Sequence, residues 1–339
     1  MYLFLSLLTG FIIAVMVAVN GVLTLQHGIF LSAIIIHIVG TVFAYMLIKI
    51  TKKTINIPKN LPIWMFTGGI IGVLTTFFNN FAFGKISMTS IVALGLFGQS
   101  ALALIIDTLG LYGMKKQTFK KSSMIGIIFS SIGILVMLDS TVGTALYAVV
   151  LSFLAGITVV LSRTVNAELS RKIGELQGSL INHVAGLPIT IIIAVLFLKN
   201  NLISSVTNFS PHLWIYLGGT LGVITVMLFN ITVPKVSAFQ LTLLSFVGQV
   251  FTGIAIDMIT KGSYTKGTFA GGIIIAMGIA VNLIYEKVMA VQEAKKLKYL
   301  ERIDHAEKQH WDKLLSSEKN DISSDTLHQR ETECENIVR

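Results

Sequence analysis

A glutamine and an aspartate sit eight residues apart inside an almost wholly apolar run, and that run occurs twice. Residues 91–110 read IVALGLFGQSALALIIDTLG and residues 243–259 read LLSFVGQVFTGIAIDMI, so that Gln99 and Asp107 recur 150 positions later as Gln249 and Asp257. Eight residues are about two helical turns, which makes each copy an apolar helix with the same polar pair. The correspondence extends along the chain. Gly10, Asn20, His37 and Gly40 recur 146 residues on as Gly156, Asn166, His183 and Gly186. Trp64, Gly68, Gly69, Gly72, Asn80 and Lys85 recur 150 residues on as Trp214, Gly218, Gly219, Gly222, Asn230 and Lys235. A list this long in one order marks an internal duplication.

The medium in which the duplicated unit folds follows from composition. The chain is 53% hydrophobic, only 13% charged, and has a mean hydropathy of +0.78. Ten apolar runs of helix length fall at 4–23, 30–48, 61–81, 89–109, 122–138, 143–162, 175–198, 212–231, 236–258 and 268–285. These read as membrane-spanning helices, five per copy, with the lipid bilayer as solvent. The first run lacks a basic flank and a clear small-residue cleavage motif, so it reads as a span ending at Asn20-Gly21 rather than a signal peptide. The domains are 1–140 for the first repeat, 141–286 for the second, and 287–339 for a tail.

An odd number of spans inverts the second copy relative to the first. The net charge of +9 tests the orientation. Before Glu286 there are 16 Lys/Arg against 5 Asp/Glu, and from Glu286 onward 10 against 12, so the basic excess belongs to membrane loops and nucleic acid is not the expected partner. On the side of the N-terminus lie Lys49, Lys52, Lys53, Lys59, Lys115, Lys116, Lys120, Lys121, Arg163, Arg171, Lys172 and Lys235; the other side has Lys85, Lys199, Lys261 and Lys266. Twelve against four places both termini in the cytoplasm. Inverted repeats of this kind are the architecture of alternating-access carriers.

Polar groups inside apolar spans need partners or water, which makes them the candidate site. Asp107 and Asp257 lie near opposite membrane faces, a symmetry that suits two gates or a proton path and equally two interfacial caps. Gln99 and Gln249 are nearer mid-helix; their amides can face a polar solute or bond helix to helix. His37 and His183 are deep and can relay a proton or join the repeats. Asn20, Asn166, Asn80 and Asn230 close their helices, as caps or cavity lining. Lys85 and Lys235 suit headgroup phosphates, and a carboxylate-bearing solute could use them.

A single cysteine, Cys334, excludes a disulfide scaffold and a cysteine-rich metal site. No GxGxxG after a strand, Walker motif, HExxH or GxSxG is present, so no enzyme, cofactor or metal is expected, and transport would be driven by an ion gradient or by the solute's own. The tail is helix-permissive over 290–316, with Leu297, Leu300, Ile303, Trp311, Leu314 and Leu315 as a loose apolar stripe. It could lie on the membrane, pair with a second copy as a homodimer, or extend the tenth helix; from Asn320 the composition predicts disorder. A membrane scaffold or sensor whose tail binds a cytosolic protein is the competing function.

Four segments carry a resemblance: GFIIAVMVAVNGVL at 10–23, HIVGT at 37–41, WMFTGGIIGV at 64–73 and ALGLFGQSALALIIDTLGLYG at 93–113, with second-copy partners GITVVLSRTVNAEL, HVAGL, WIYLGGTLGV and LLSFVGQVFTGIAIDMI. The chain resembles the drug/metabolite transporter (DMT) superfamily, and within it the YdcZ-type bacterial inner-membrane proteins, over residues 1–286. Many members of that branch are single five-helix units, so this chain looks like a fused two-repeat form. The resemblance implies an all-α membrane protein of ten helices in two inverted five-helix repeats. It also implies proton-coupled or facilitated movement of small solutes, often outward, across the bacterial inner membrane. Arg163, where copy one has Val17, and Pro188 depart from the repeat.

Single-cysteine labelling on a background lacking Cys334 checks the orientation. The tail and residues 49–59 are expected to react only from the cytoplasmic side.

Overall fold

The first helix, α1 (Tyr2–Ile50), is 49 residues long. At 1.5 Å per residue that is about 73 Å, more than twice a hydrocarbon core of about 30 Å. The helix is broken where the chain can break it: Gly28 has φ 75° and ψ 169°. The same geometry recurs at Gly174 (φ 102°, ψ 151°), which separates α5 (Leu146–Ile173) from α6 (Glu175–Leu198). Gly28 and Gly174 are repeat equivalents at the 146-residue offset. Positive φ is open to glycine without penalty, so one residue type makes both reversals. The first run therefore does not end at Asn20-Gly21; the helix continues past both.

The computed structural model describes residues 1–82, 85–86, 88–114, 116, 121–138, 142–143, 145–198, 210–261 and 266–337. Its remaining helices are α2 (Gly68–Ala82), α3 (Met88–Leu109), α4 (Lys121–Met137), α7 (Gly218–Thr232), α8 (Ala238–Lys261) and α9 (Lys266–Ile337). Short 3₁₀ turns, Ile63–Thr67 and Leu213–Leu217, lead into α2 and α7 at equivalent places in the two copies. The α6 helix continues through Pro188. The protein is all-α, with no sheet among the described residues.

Among the described residues seven helices are long and apolar enough to cross a membrane, α1 among them, and Ile63–Asn79 and Met124–Met137 are shorter apolar helices. Burial runs opposite to that of a protein folded in water. Leu25, Leu135, Leu196 and Phe197 are 83%, 68%, 65% and 63% exposed, while Arg163, Asn166, His183 and Asn230 are buried. Apolar groups outside and hydrogen-bonding groups inside is the arrangement lipid selects.

Met1–Asn282 forms one compact unit. Helices in it approach at glycines, and the approaches join one copy to the other. A Cβ at Gly10 would run into the Ser245 carbonyl, and one at Gly248 into the Leu7 carbonyl. Their equivalents repeat the crossing: Gly156 lies against the Gly95 carbonyl and Gly98 against the Phe153 carbonyl. Thus α1 is seated on α8, and α5 on α3. The α4 helix packs on α9 in the same manner, through Gly133 and Gly271.

Leu283–Arg339 is a second unit, helical through Ile337. Disorder from Asn320 is not what the structure has; no Gly or Pro follows Gly278, so nothing local stops the helix. Arg163 also needs correcting. It lies inside α5 and is 3% exposed, so it is no loop charge and the count on the N-terminal side becomes eleven.

Gly10→Ala and Gly156→Ala are each expected to lower the thermal midpoint in detergent, since crowding a tight contact typically costs about 1–3 kcal/mol. Gly21→Ala, where an added Cβ meets nothing within 4 Å, should hold or raise it through better helix propensity, worth up to about 1 kcal/mol.

Candidate functional site

Two histidines, one from each copy, meet inside the first unit. His37 follows the Gly28 break by nine residues on α1, and His183 follows the Gly174 break by nine on α6. Their rings are 5.8 Å apart, tilted by 54°. Each Nδ1 faces the carbonyl one turn back: His37 to Ala33 at 2.8 Å, His183 to Ser179 at 2.9 Å. The carbonyl can only accept, so Nδ1 carries the proton and in the neutral ring Nε2 is left as an acceptor. Glycine lets the rings in. A Cβ at Gly40 would strike the His183 ring, and one at its equivalent, Gly186, would strike the His37 ring. Flanking helices close around the pair by the same device, with Gly69 against the Asn182 carbonyl and Gly219 against the Ile36 carbonyl.

Asn20 and Asn166 do not stand at helix ends, where capping is one of the two readings. Asn20 and Asn166 are inside α1 and α5, each pressed on a glycine of the other copy's third helix: Asn20 on Gly218, Asn166 on Gly68. Their surroundings then diverge. Asn166 Nδ2 donates to Asn182 Oδ1 at 2.7 Å and to Ser162 Oγ at 3.3 Å, and Ser162 donates to the Gly68 carbonyl at 2.8 Å. The equivalents of Asn182 and Ser162 are Ile36 and Met16, and Asn20 Oδ1 is buried with no hydrogen-bond partner among the described residues. Asn230 stands near the end of α7 and donates to the Glu175 carbonyl at 2.9 Å.

Asp107 is a cap, but for another helix. Its Oδ1 accepts the Ala238 N–H at 2.8 Å and its Oδ2 the Phe239 N–H at 2.9 Å, which binds the carboxylate to the positive end of α8. Arg163 holds the same turn from α5, donating through Nη2 to the Ala238 carbonyl at 3.1 Å and to Thr242 Oγ1. The guanidinium lies 5.5 Å from the Phe229 ring centre, and its Nε and Nη1 find no acceptor among the described residues. The α8 start is thus clasped by a carboxylate from one copy and a cation from the other.

Gln99 and Gln249 are half-buried. The Gln249 amide bonds only within its own helix, to the Ser245 carbonyl at 3.3 Å, and the Gln99 amide makes no hydrogen bond among the described residues. Neither is therefore used to join helices. The side chains of Asn80 and Asp257 lie outside the described residues. No group of three His, Cys, Asp or Glu able to hold a metal occurs among the described residues. Sequence reasoning missed Asn182 and Ser162, whose signal is polarity at positions where copy one is apolar. It also missed Gly28 and Gly174, which the repeat itself aligns.

Comparison with known proteins agrees on the class. Residues 1–136 and 147–282 each match the family DMT_YdcZ, described as "Putative inner membrane exporter, YdcZ". No curated protein matches the chain. Among 28 matching chains of solved structures, one titled only "Crystal structure of protein" is similar with a TM-score of 0.61 at 12% identity, covering 85% of this chain and 97% of its own. At that identity the similarity is one of fold.

Asp107→Ala is expected to destabilise the protein by about 1–2 kcal/mol, the usual worth of a helix cap. Thermal unfolding in detergent reads it, and a double-mutant cycle with Arg163→Val should be non-additive because both side chains hold Ala238.

Proposed function

We propose, from the premise that this chain belongs to the DMT_YdcZ family, that it is a secondary carrier exporting a small polar or amphiphilic solute by alternating access. The observation that carries the reading is the reciprocity of the packing. Crossing Gly10–Gly248 and crossing Gly98–Gly156 are repeat equivalents, and the His37–His183 pair lies between the copies that form them. Two equivalent crossings can exchange roles, one parting while the other holds, which is how inverted repeats give access to each side in turn.

The remaining assignments build on this. With α1 divided at Gly28 and the two shorter apolar helices included, the spans number ten, in two inverted sets of five. Eleven Lys/Arg against four support cytoplasmic termini, and the family's description supports the bacterial inner membrane and outward transport. Gln99 and Gln249 face the solute, since their amides are not used between helices. His37 and His183 are the candidates for proton coupling, and the Asp107–Arg163 clasp on α8 is the candidate gate.

The test is purified protein in liposomes with amino acids, nucleosides, polyamines and cationic drugs, with and without a pH gradient. Saturable flux with counterflow is expected, reduced when the gradient is collapsed. Gln99→Ala with Gln249→Ala should lower it at least about tenfold, the equivalent of one lost polar contact of about 1.4 kcal/mol. Full-rate flux in that double variant would remove both residues from the site, and flux that never saturates would mean a channel.

A further inference from the structure

Two helix seams are repeat equivalents and keep the same register. Along one, α2 lies on α5: a Cβ at Gly68 would strike the Asn166 side chain, and one at Gly72 would stand 3.4 Å from Ser162 Oγ. Along the other, α7 lies on α1: a Cβ at Gly218 would strike Asn20, and one at Gly222 would stand 3.8 Å from Met16 Sδ. Each residue of the second seam is the equivalent of its counterpart in the first, at an offset of 150 for α2 and α7 and 146 for α1 and α5. One turn further on, Thr75 meets Thr158, so the same register sets Thr225 opposite Ile12.

The bonding along the two seams is not equivalent. On α2–α5, Thr75 donates to Thr158 Oγ1 at 2.8 Å, and Thr158 donates in turn to the Ala155 carbonyl at 2.9 Å. Ser162 donates to the Gly68 carbonyl at 2.8 Å and accepts from Asn166. On α1–α7, Ile12 and Met16 stand in place of Thr158 and Ser162 and can form neither bond. Thr225 Oγ1 and Asn20 Oδ1 are enclosed there with no hydrogen-bond partner among the described residues. The bond from α1 to Tyr216, His27 Nε2 to Oη at 3.0 Å, is made on the 3₁₀ turn before α7, nine residues from Thr225.

Separating the helices therefore has opposite consequences at the two seams. Parting α2 from α5 breaks Thr75–Thr158 and Ser162–Gly68. Parting α1 from α7 gives up neither bond and lets two enclosed, unpaired polar atoms find partners, which relieves the cost of burying them. We propose that α2–α5 is a latch and α1–α7 the seam at which the bundle parts first, with Thr225 and Asn20 bonding to water or to the polar groups of a solute in the path so opened. His183 is brought to the edge of that path, since its Nε2 would stand 3.2 Å from a Cβ at Gly222. The part played in transport rests on the carrier reading; the inequality of the seams does not.

Double electron–electron resonance on the full chain in nanodiscs, on a background lacking Cys334, tests the latch. One label pair is at Phe4 and Ile224 across α1–α7, and the other at their equivalents, Val150 and Leu74, across α2–α5. Without solute, the wide population is expected to be larger for the α1–α7 pair. Thr225→Val removes the unpaired hydroxyl and should lower the wide-to-narrow ratio of that pair about tenfold while raising the unfolding midpoint; Ile12→Thr, which supplies a partner, should also lower the ratio. Thr75→Val removes a bond that is made and should raise the ratio of the α2–α5 pair about tenfold while lowering the midpoint. Equal wide populations in the wild-type chain, a larger one across α2–α5, or a ratio that Thr225→Val leaves unchanged overturns the latch. Liposome flux with equal seams would overturn the latch and leave the carrier reading; unequal seams without flux would do the reverse.

Discussion

Backbone approaching backbone is the contact on which this structure depends. Between lipid-exposed helices there is no hydrophobic gain from association, because acyl chains are as apolar as leucine, so close packing and inward polar bonds must supply it. Gly10, Gly98, Gly156 and Gly248 let the helices of one copy settle onto carbonyls of the other. Gly40 and Gly186 make room for the histidine rings. A methyl group at any of these places would meet an atom that cannot easily move. The two copies are consequently interleaved rather than laid side by side.

On this nearly symmetric frame the chemistry is one-sided. Asn166 has Asn182 and Ser162, whereas Asn20 has Ile36 and Met16. Arg163 reaches the α8 start where Val17 could not, and Arg171 and Glu175 stand where Leu25 and Ile29 do. Duplication supplies two equal crossings, and divergence of copy two gives one end of the bundle its charges.

Much of the fold was legible because the duplicated positions are chemically distinctive. The Gly, Asn, His and Gly-Gln positions aligned by offset alone, and apolar run length identified an all-α protein with membrane-length helices. Partner identity was not legible. Nothing in the local sequence says that Gly10 meets Ser245, and Asp107 is near a helix end yet caps a different helix, 131 residues away. Local reasoning makes Asn20-Gly21 a stop, but in lipid a helix end leaves polar groups unsatisfied, so the helix continues to Gly28, where positive φ turns the chain at once. Arg163 looked like a loop charge because burying a cation is costly; what permits it, the Ala238 carbonyl, Thr242 and the Phe229 ring, lies in distant sequence.

The most direct test of alternating access is double electron–electron resonance on the full chain in nanodiscs, with one pair of spin labels beside Gly10 and Gly248 and another beside Gly98 and Gly156. Alternating access predicts two distance populations for each pair, with the widened state of one pair coinciding with the closed state of the other, and a shift between them when a transported solute is added. A single unchanging distance for both pairs, or simultaneous widening of both, would contradict it.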